Sequence, residues 1–361
     1  MTVDFNRYQR QTVLDGFGLA GQTQLAKSRV LVVGLGGLGI PVVQYLNAMG
    51  VGTLGLVEND TVDLQNLQRQ VLYQEKDIGR KKLAVALERL AAQNSQTHLV
   101  PYESFLTQEN ALALIQDYDV VVDATDNFPS RYLINDACTI LKKPFVYGAL
   151  HGFEGQVAVF NYKGGPTYRC LFPNPPVSNN IPNCNDHGVL GIVPGIIGNF
   201  QALETIKILT GIGTVLAGQL LLYNGLSQTS QKIQLRVNPE NYERTALESS
   251  YGTPSCVQQE NVINIYDFLS RYTQDQVQLV DVRTAEEYQK DHLTGAVNLP
   301  VDDLESGVGL IDLKRSVYLI CQSGKRSGMA QQRLQQQYPE TSFFQLEGGM
   351  AALTKKTIQS S

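Results

Sequence analysis

Short apolar runs alternate with a helix-like stretch in the first part of the chain. Arg29–Val33 and residues 52–57 and 119–123 are rich in β-branched side chains, which favour strands. Residues 40–49 lie between the first two runs and have the periodicity of a helix. Strands that alternate with helices predict a parallel sheet covered on both faces. The first part of the chain is therefore expected to be an α/β domain.

Further along, the pattern predicts another kind of sheet and then a second domain. Strands are predicted near residues 156–161 and 219–223, and they indicate a more antiparallel half after residue 145. The composition turns polar between residues 239 and 261, and the alternation of strands and helices then resumes. The predicted organisation is a domain at residues 1–240, a linker at 241–260 and a small α/β domain at 261–361.

The composition narrows the classes of function. The net charge is −5 and no basic run or interleaved aromatic patch is present, so we expect no nucleic-acid partner. The longest apolar runs are short and broken by glycine, and the first residues have no apolar signal core. The five cysteines are an odd number at wide spacing, which is typical of reduced thiols. We expect a cytoplasmic protein without a membrane partner.

A glycine-rich loop follows the first predicted strand. Gly34-Leu-Gly-Gly-Leu-Gly39 comes before the predicted helix, and its glycines allow a phosphate to approach the backbone at the helix N-terminus. Glu58 follows the second strand, where a carboxylate accepts hydrogen bonds from ribose hydroxyls. These two features fit a dinucleotide-binding dehydrogenase equally well.

Residues later in the chain distinguish a dehydrogenase from another class of nucleotide-binding enzyme. Asp60 to Gln70, Gly79-Arg-Lys-Lys82 and Asp123-Ala-Thr-Asp-Asn127 resemble, in order, the nucleotide site of the MoeB/ThiF adenylyltransferases, the bacterial relatives of ubiquitin-activating enzymes. The resemblance covers about residues 5–238. A dehydrogenase holds its diphosphate largely with the glycine loop, whereas a triphosphate needs more cations. An NAD-dependent oxidoreductase is therefore disfavoured.

The resemblance implies a set of nucleotide-binding residues. They are Gly34, Gly36, Gly37, Gly39, Glu58, Asn66, Arg69, Lys82, Asp126 and Asn127. Glu58 would hold the ribose of ATP, although the family usually has aspartate there. Arg69 and Lys82 would neutralise charge that develops on the phosphates. Asp126 would bind Mg²⁺. Arg10 would reach the triphosphate of a neighbouring subunit, which implies a homodimer.

A cysteine follows the apolar run at residues 316–320. The loop after Cys321 consists of Gln322, Ser323, Gly324, Lys325, Arg326 and Ser327. Converging backbone N–H groups and the two cations would stabilise an anion on the sulfur. The loop, with Leu279-Val-Asp-Val-Arg283, His292-Leu-Thr-Gly-Ala296 and Leu346-Glu-Gly-Gly-Met350, resembles rhodanese-type sulfurtransferases, in which the cysteine carries a persulfide. The two resemblances together imply a Rossmann-like adenylation domain with a mixed sheet, followed by a small α/β rhodanese domain.

Two other cysteine positions bear on the chemistry. Cys184 lies where the family has a loop that passes over the acyl-adenylate, and its thiol would react there or be a structural remnant. Many relatives bind structural zinc through two C-x-x-C pairs. Here the first pair reads Thr167-Tyr-Arg-Cys170, and the second region, Asn238 to Arg244, has no cysteine. We therefore expect no structural zinc.

The combined resemblance implies a two-step reaction. The C-terminal carboxylate of a ubiquitin-like sulfur-carrier protein ending in Gly-Gly would be adenylated by Mg-ATP, and a persulfide on Cys321 would then give a thiocarboxylate. A persulfide donor such as a cysteine desulfurase would load the thiol. The alternative is an enzyme of the ubiquitin-activating kind that forms a thioester at Cys184 and uses the rhodanese domain only for docking. The sequence does not identify the carrier, so molybdopterin, thiamin, tRNA thiolation and secondary metabolism all stay open.

Overall fold

The computed structural model describes residues 4–175, 188–251, 261–263, 268, 278–346 and 348–351, without the side chains of residues 305, 306 and 325. The contacts divide the chain into two compact units, Met1–Cys256 and Val257–Ser361. The first unit carries an eight-stranded sheet and the second a five-stranded sheet.

Eight strands form the sheet of the first unit. They are β1 (Arg29–Val33), β2 (Thr53–Val57), β3 (His98–Tyr102), β4 (Val120–Asp123), β5 (Phe145–His151), β6 (Glu154–Phe160), β7 (Gln219–Asn224) and β8 (Thr229–Gln234). They lie in the order β3-β2-β1-β4-β5-β6-β7-β8. Neighbours from β3 to β5 are parallel, and those from β5 to β8 are antiparallel. The sheet is therefore mixed, as predicted.

Helices cover both faces of this sheet. They are α1 (Gln9–Thr12), α2 (Gly18–Lys27), α3 (Gly39–Ala48), α4 (Lys82–Gln93), α5 (Gln108–Ile115), α6 (Phe128–Ile140), α7 (Tyr168–Leu171) and α8 (Ile192–Thr210). Alternate residues of β1 enter different core clusters, Val30 and Val32 one of them and Leu31 and Val33 the other. The apolar run of β1 is buried on both faces because helices pack against each side.

Helix α8 packs closely against α3 through a glycine. A Cβ atom built on Gly198 would lie 2.4 Å from Pro41 Cγ and 2.5 Å from Leu38 O. The same helix carries the fully buried Gln201, whose side-chain amide donates to the carbonyl of Asp123 at 2.7 Å and to that of Val146 at 3.3 Å. These contacts fix α8 against the ends of two central strands.

The loops after β1, β2 and β4 meet at one edge of the sheet, here called the carboxyl edge. Val33 is in register with Val57 of β2 and with Asp123 of β4. The strand order changes direction between β1 and β4, because β2 and β3 lie on one side of β1 and β4 and β5 lie on the other. Open α/β sheets bind ligands at such a point. The predicted nucleotide residues follow these three strands.

The residues just before residue 252 pack against α6 and α7 within the first unit. Arg244 Nε lies 3.4 Å from Asp136 Oδ1, and the hydroxyl of Tyr251 donates to Asp136 Oδ2 at 2.8 Å. Arg169 Nη2 donates to Glu248 Oε1 at 2.7 Å. Part of the predicted linker 241–260 is therefore fixed against α6 and α7, and the boundaries at 240 and 260 stay predictions.

The second unit contains a parallel sheet. The strands whose ends both lie in its described residues are β9 (Val262–Ile263), β10 (Gln278–Asp281), β11 (Val297–Asn298), β12 (Val317–Ile320) and β13 (Phe343–Leu346). The α-helices with both ends described there are α9 (Ala285–Lys290), α10 (Leu304–Gly307) and α11 (Lys325–Gln337). The strand order is β11-β10-β12-β13-β9, with every described pair parallel. Val317 and Leu319 enter one core cluster, and Tyr318 and Ile320 enter the other. Strand β12 is thus buried on both faces up to Cys321.

The predicted elements agree with these bounds. Residues 29–33, 52–57, 119–123, 156–161 and 219–223 coincide with or overlap strands β1, β2, β4, β6 and β7, and residues 40–49 overlap helix α3. The α/β fold class is confirmed. Among the described residues, no helix combines the length and the apolar character needed to cross a membrane.

Candidate functional site

The glycine loop after β1 is packed against the loop after β4. Gly34 has a φ of +95°, and a Cβ atom built on it would lie 2.8 Å from Ala124 O. A Cβ atom on Gly39 would lie 1.9 Å from Gly34 O, so any side chain there would displace the backbone of the loop. Helix α3 starts at this glycine and has no side-chain cap. Its first N–H groups point out of the helix end, where an anion such as phosphate is stabilised.

Glu58 connects two loops of the carboxyl edge. Its Oε2 atom accepts a hydrogen bond from the backbone N–H of Leu35 at 2.8 Å, and its Oε1 atom accepts from those of Asn59 and Asp60 at 2.8 and 2.9 Å. The residue is buried. These bonds hold the start of the glycine loop against the end of β2. A contact of Glu58 with ribose stays a prediction.

Lys82 is held beside the same loop by Asp60. Its Nζ atom lies 3.2 Å from Asp60 Oδ2, and its side chain is 6% exposed. The backbone N–H of Lys82 also donates to Asp60 O at 2.9 Å. Lys82 is the first residue of α4, and that helix has no side-chain cap either. Because Asp60 is itself bonded to Glu58, the ammonium group is fixed relative to the glycine loop.

Asn66 ends the short 3₁₀ segment after β2, and Arg69 lies in the turn that follows it. Arg69 Cγ is 3.4 Å from the position of a Cβ atom on Gly37, which places this side chain against the glycine loop. Arg69 Nη1 donates to Gln65 O at 3.1 Å. The side chain of Asn66 is half-buried and makes no hydrogen bond with the described residues. Arg69 is thus near enough to the loop to act on a ligand bound there.

Asp126 and Asn127 follow β4 and take different positions. Asp126 is exposed at the carboxyl edge, whereas Asn127 is buried and caps helix α6, with Oδ1 accepting from Ser130 N at 2.9 Å. Thr125 is held from two sides, since its N–H and hydroxyl donate to Asp123 Oδ1 at 3.0 and 2.6 Å while its carbonyl accepts from Arg131 at 3.0 Å. The loop that carries Asp126 is therefore rigidly supported.

This support is a part of the site that the sequence interpretation missed. Asp123 is fully buried, burial raises its pKa, and Arg131 Nε lies 3.9 Å from its Oδ2 atom. Arg131 also stacks over Tyr147, with the guanidinium carbon 5.4 Å from the ring centroid. An arginine within a helical pattern normally indicates an exposed side chain, so no sequence signal distinguishes Arg131. Tyr73, whose hydroxyl donates to Leu35 O at 2.9 Å, was also missed.

Cys321 begins the second predicted site, a segment here called the sulfur loop (residues 321–327). Its sulfur is buried, with Gly324 N donating to Sγ at 3.2 Å and Ser327 Oγ lying 3.5 Å from it. Gly324 has a φ of +90° and is the N-cap residue of helix α11, which has no side-chain cap. A Cβ atom on Gly349 would lie 2.2 Å from Cys321 O, so this glycine lets a second loop close over the first. The backbone N–H of Gly324, just before α11, therefore donates to the sulfur.

Two arginines of the second unit are paired with carboxylates. Arg283 contacts Asp281 through Nε and Nη2 and donates from Nη1 to Gln322 Oε1 at 3.2 Å. Arg326 Nη1 and Nη2 contact the two carboxylate oxygens of Glu287 at 2.5 and 2.7 Å. This two-point pairing, the dominant cause, lowers the pKa of Glu287 to about 2. Arg326 was predicted from sequence as a loop cation, but its partner was not.

Cys170 lies at the position of the first C-x-x-C pair, where no structural zinc is expected in this chain. Its sulfur accepts hydrogen bonds from Thr167 N, Asn238 N and Asn241 Nδ2, each at 3.3 Å. Burial alone would raise the pKa of this thiol, but these hydrogen bonds outweigh burial and lower it. Within the described ranges, no group of three or more His, Cys, Asp or Glu residues could hold a metal ion. Hydrogen-bond donors thus surround the sulfur at this position.

The structure brings most of the predicted nucleotide residues to one place. The glycine loop contacts Arg69 and Glu58, and Glu58 connects through Asp60 to Lys82. Arg10 is exposed on α1 and makes no hydrogen bond or ion pair with the part of the chain that the structure describes. Cys184 lies outside the described residues, as does the side chain of Lys325.

Two sequence families match this chain. The ThiF family matches residues 8–244, and the rhodanese-like domain matches residues 265–356. Among similar proteins, an adenylyltransferase and sulfurtransferase MOCS3 from Aedes aegypti is 39% identical over 359 residues, which cover 92% of this chain and 82% of that protein. A sulfur carrier protein adenylyltransferase from Thermus thermophilus is 49% identical over 241 residues, which cover 65% of this chain and 89% of that protein.

A solved structure agrees on the fold of the larger unit. A crystal structure of E. coli MccB with ATP matches with a TM-score of 0.59 and 20% sequence identity, over 66% of this chain and 73% of that chain. At this identity the likeness carries the fold alone. The family match covers most of the chain and spans the glycine loop, Arg69, Lys82 and Asp126. The chain therefore belongs to the ThiF family and carries a rhodanese-like domain after its ThiF domain.

Proposed function

We propose that this protein activates the C-terminal carboxylate of a ubiquitin-like sulfur-carrier protein with ATP and then converts it to a thiocarboxylate with sulfur carried by Cys321. The observation that supports this most strongly is the presence, in one chain, of a glycine-loop site with clustered cations and of a buried cysteine at a helix N-terminus. The similar proteins are named as adenylyltransferases and sulfurtransferases.

In the first step, a carboxylate oxygen of the carrier attacks the α-phosphorus of ATP, and pyrophosphate leaves. Free carboxylate is a poor acyl donor, and adenylation supplies a leaving group. Arg69 and Lys82 neutralise the charge that builds up on the phosphates, as fixed charges in a water-poor site do effectively. We assign Asn66 to a phosphate oxygen, the loop of Gly34 to the phosphates and Glu58 to the ribose.

Asp126 is the residue that would hold Mg²⁺. It is exposed at the carboxyl edge on a loop that Asp123 and Arg131 support, which fits the usual arrangement of one carboxylate plus phosphate oxygens around this ion. When bound, Mg²⁺ would supply positive charge beside the triphosphate. The position of Asp126 supports the metal assignment.

In the second step, a persulfide on Cys321 attacks the carbonyl carbon of the acyl-adenylate, and AMP leaves with the bonding electrons. A second thiol then attacks the sulfur of Cys321. The thiocarboxylate departs, and a disulfide forms between the second thiol and Cys321, which an external thiol reduces. We assign the second thiol to Cys184, on the sequence resemblance.

The partners follow from this chemistry. We assign a Gly-Gly ending to the carrier on the sequence resemblance. The sulfur would come from a protein persulfide, such as that of a cysteine desulfurase. We propose a homodimer in which the exposed Arg10 reaches the neighbouring site, next to the exposed apolar residues Val13 and Leu14, which are 70% and 58% accessible. A reduced thiol at Cys321 suits the cytoplasm.

Pyrophosphate exchange into ATP tests the first step. We expect exchange only when the carrier is present with a free C-terminal carboxylate, and none with an otherwise identical carrier amidated at its last residue, because an amide cannot attack phosphorus. Exchange that continues with the amidated carrier, or without any carrier, would contradict the proposal. Stimulated reduction of NAD⁺ would instead favour the oxidoreductase alternative.

The zinc content of the purified protein is a separate prediction. Protein prepared without chelator should contain far less than stoichiometric zinc, because Cys170 is the one thiolate left of the expected four and neutral Thr167 and Asn241 are poor zinc ligands. Elemental analysis after dialysis measures this. Stoichiometric zinc that survives dialysis would show that other residues hold the metal.

A further inference from the structure

Two arginines at or near the sulfur loop are each paired with a carboxylate. Asp281 is fully buried with Arg283 on its carboxylate, and Glu287 holds Arg326. A guanidinium with both of its terminal nitrogens on one carboxylate is fixed in orientation, since the two bonds are parallel and charge-assisted. Arg326, whose side chain is the described cation of this loop, is therefore already paired before any donor arrives.

We propose that Glu287 is a positioning and specificity-determining residue of the sulfur loop, which keeps the Arg326 guanidinium occupied and so withholds it from a small anionic sulfur donor such as thiosulfate. This inference rests on the proposed role of Cys321 as the sulfur carrier. Glu287 does not touch the sulfur. It acts through Arg326, which lies next to Ser327 at the start of helix α11.

The charge of the sulfur donor explains how the Glu287–Arg326 pair would affect specificity. The thiolate of Cys321 attacks the sulfane sulfur of thiosulfate, the S–S bond breaks, and sulfite leaves with the electron pair. Thiosulfate brings two negative charges, and a free guanidinium would bind its sulfonate group in the same two-point manner that it now binds Glu287. A protein persulfide brings less charge and is recognised by its own surface. The pairing therefore favours a protein donor over thiosulfate.

The position of Glu287 makes a clean substitution available. Glu287 is the N3 residue of the capping box that starts helix α9. In this box, Thr284 N donates to Glu287 Oε2 at 3.1 Å and Glu287 N donates to Thr284 Oγ1 at 3.3 Å. Glutamine serves this cap as well as glutamate does. Glu287→Gln thus removes the charge that holds Arg326 while it keeps the start of helix α9. Glu286, the exposed neighbour, provides a control of equal charge.

The test is the steady-state transfer of sulfur from thiosulfate to cyanide by the full-length protein. We expect Glu287→Gln to lower the KM for thiosulfate roughly fivefold, or about 1 kcal/mol, with little change in kcat, and we expect the gain to shrink as salt is added. Glu286→Gln should leave KM unchanged. In an Arg326→Gln background, Glu287→Gln should change KM by no more than about twofold, because the two residues act as one unit.

Three results would overturn the proposal. One is an unchanged or higher KM for thiosulfate in Glu287→Gln when its thermal unfolding matches that of the parent. Another is a fall in KM of equal size in the Arg326→Gln background. The third, if Glu287→Gln does not fold, is an unchanged or higher KM in Glu287→Asp, whose carboxylate is shorter by one methylene group. Absence of any persulfide on Cys321 in the parent protein would instead overturn the proposed function, and this inference with it.

Discussion

Replacing Cys321 with alanine is expected to abolish thiocarboxylate formation and to leave carrier-dependent pyrophosphate exchange intact. Adenylation needs no sulfur atom, and the glycine loop, Arg69 and Lys82 belong to the unit that ends at Cys256, whereas Cys321 belongs to the other. A methyl group cannot carry a persulfide, so the loss should be complete. Mass spectrometry of the carrier after incubation with ATP and a persulfide donor measures it.

The control for this substitution is Cys170→Ser, which removes a thiol outside the sulfur loop. It should keep both activities. A full yield of thiocarboxylate from the Cys321→Ala protein under limiting persulfide, with no free sulfide present, would contradict the prediction. That result would remove the rhodanese-like domain from the chemistry and favour the alternative in which it only docks partners.

Replacing Asp126 or Arg69 with alanine is expected to give the opposite pattern. Carrier-dependent pyrophosphate exchange should fall by about 10²–10³-fold or more, since in the proposed mechanism Arg69 neutralises charge that develops on the phosphates and Asp126 would hold the Mg²⁺ ion beside them. Transfer of sulfur from thiosulfate to cyanide should stay nearly unchanged, because Cys321 and its hydrogen bonds lie in a separate sheet and core. The two assays on the same preparation measure the separation.

Matched charges elsewhere on the first unit provide the controls. Asp117 precedes β4 at the opposite edge of the sheet, and Arg236 follows β8; both are exposed. Asp117→Ala and Arg236→Ala should leave pyrophosphate exchange within about twofold of the parent. Equal loss of both activities in a folded Asp126→Ala or Arg69→Ala protein would contradict the assignment of the two reactions to different units.

The sequence predicted the elements whose pattern is local. Strand β1 has the predicted bounds of Arg29–Val33 because its β-branched run is buried on both faces. Helix α8 was not predicted, since Pro194 and Gly198 interrupt its apolar run. The structure shows why a glycine is needed there: the helix approaches Pro41 and Leu38 too closely for a side chain at residue 198. Such a requirement is tertiary and leaves no local signal.

The candidate site also has residues that the sequence located and residues that only the structure revealed. Motif order located the glycine loop, Arg69, Lys82 and Cys321, because their spacing is part of the chain itself. The residues that hold them were found only in the structure: Asp60 beside Lys82, Arg131 beside Asp123, and Glu287 beside Arg326. Arg326 and Glu287 lie 39 residues apart in sequence, so their pairing depends on how α9 and α11 pack.

The mass of the carrier after a complete reaction tests the central claim most directly. The protein is first loaded with labelled sulfane sulfur, freed of excess donor, and then mixed with ATP and the carrier. We predict a carrier that is heavier by the difference between a sulfur and an oxygen atom at its C-terminus, that contains the label, and that forms only with ATP. An unchanged carrier mass, or a product that lacks the label although Cys321 was loaded, would contradict the account.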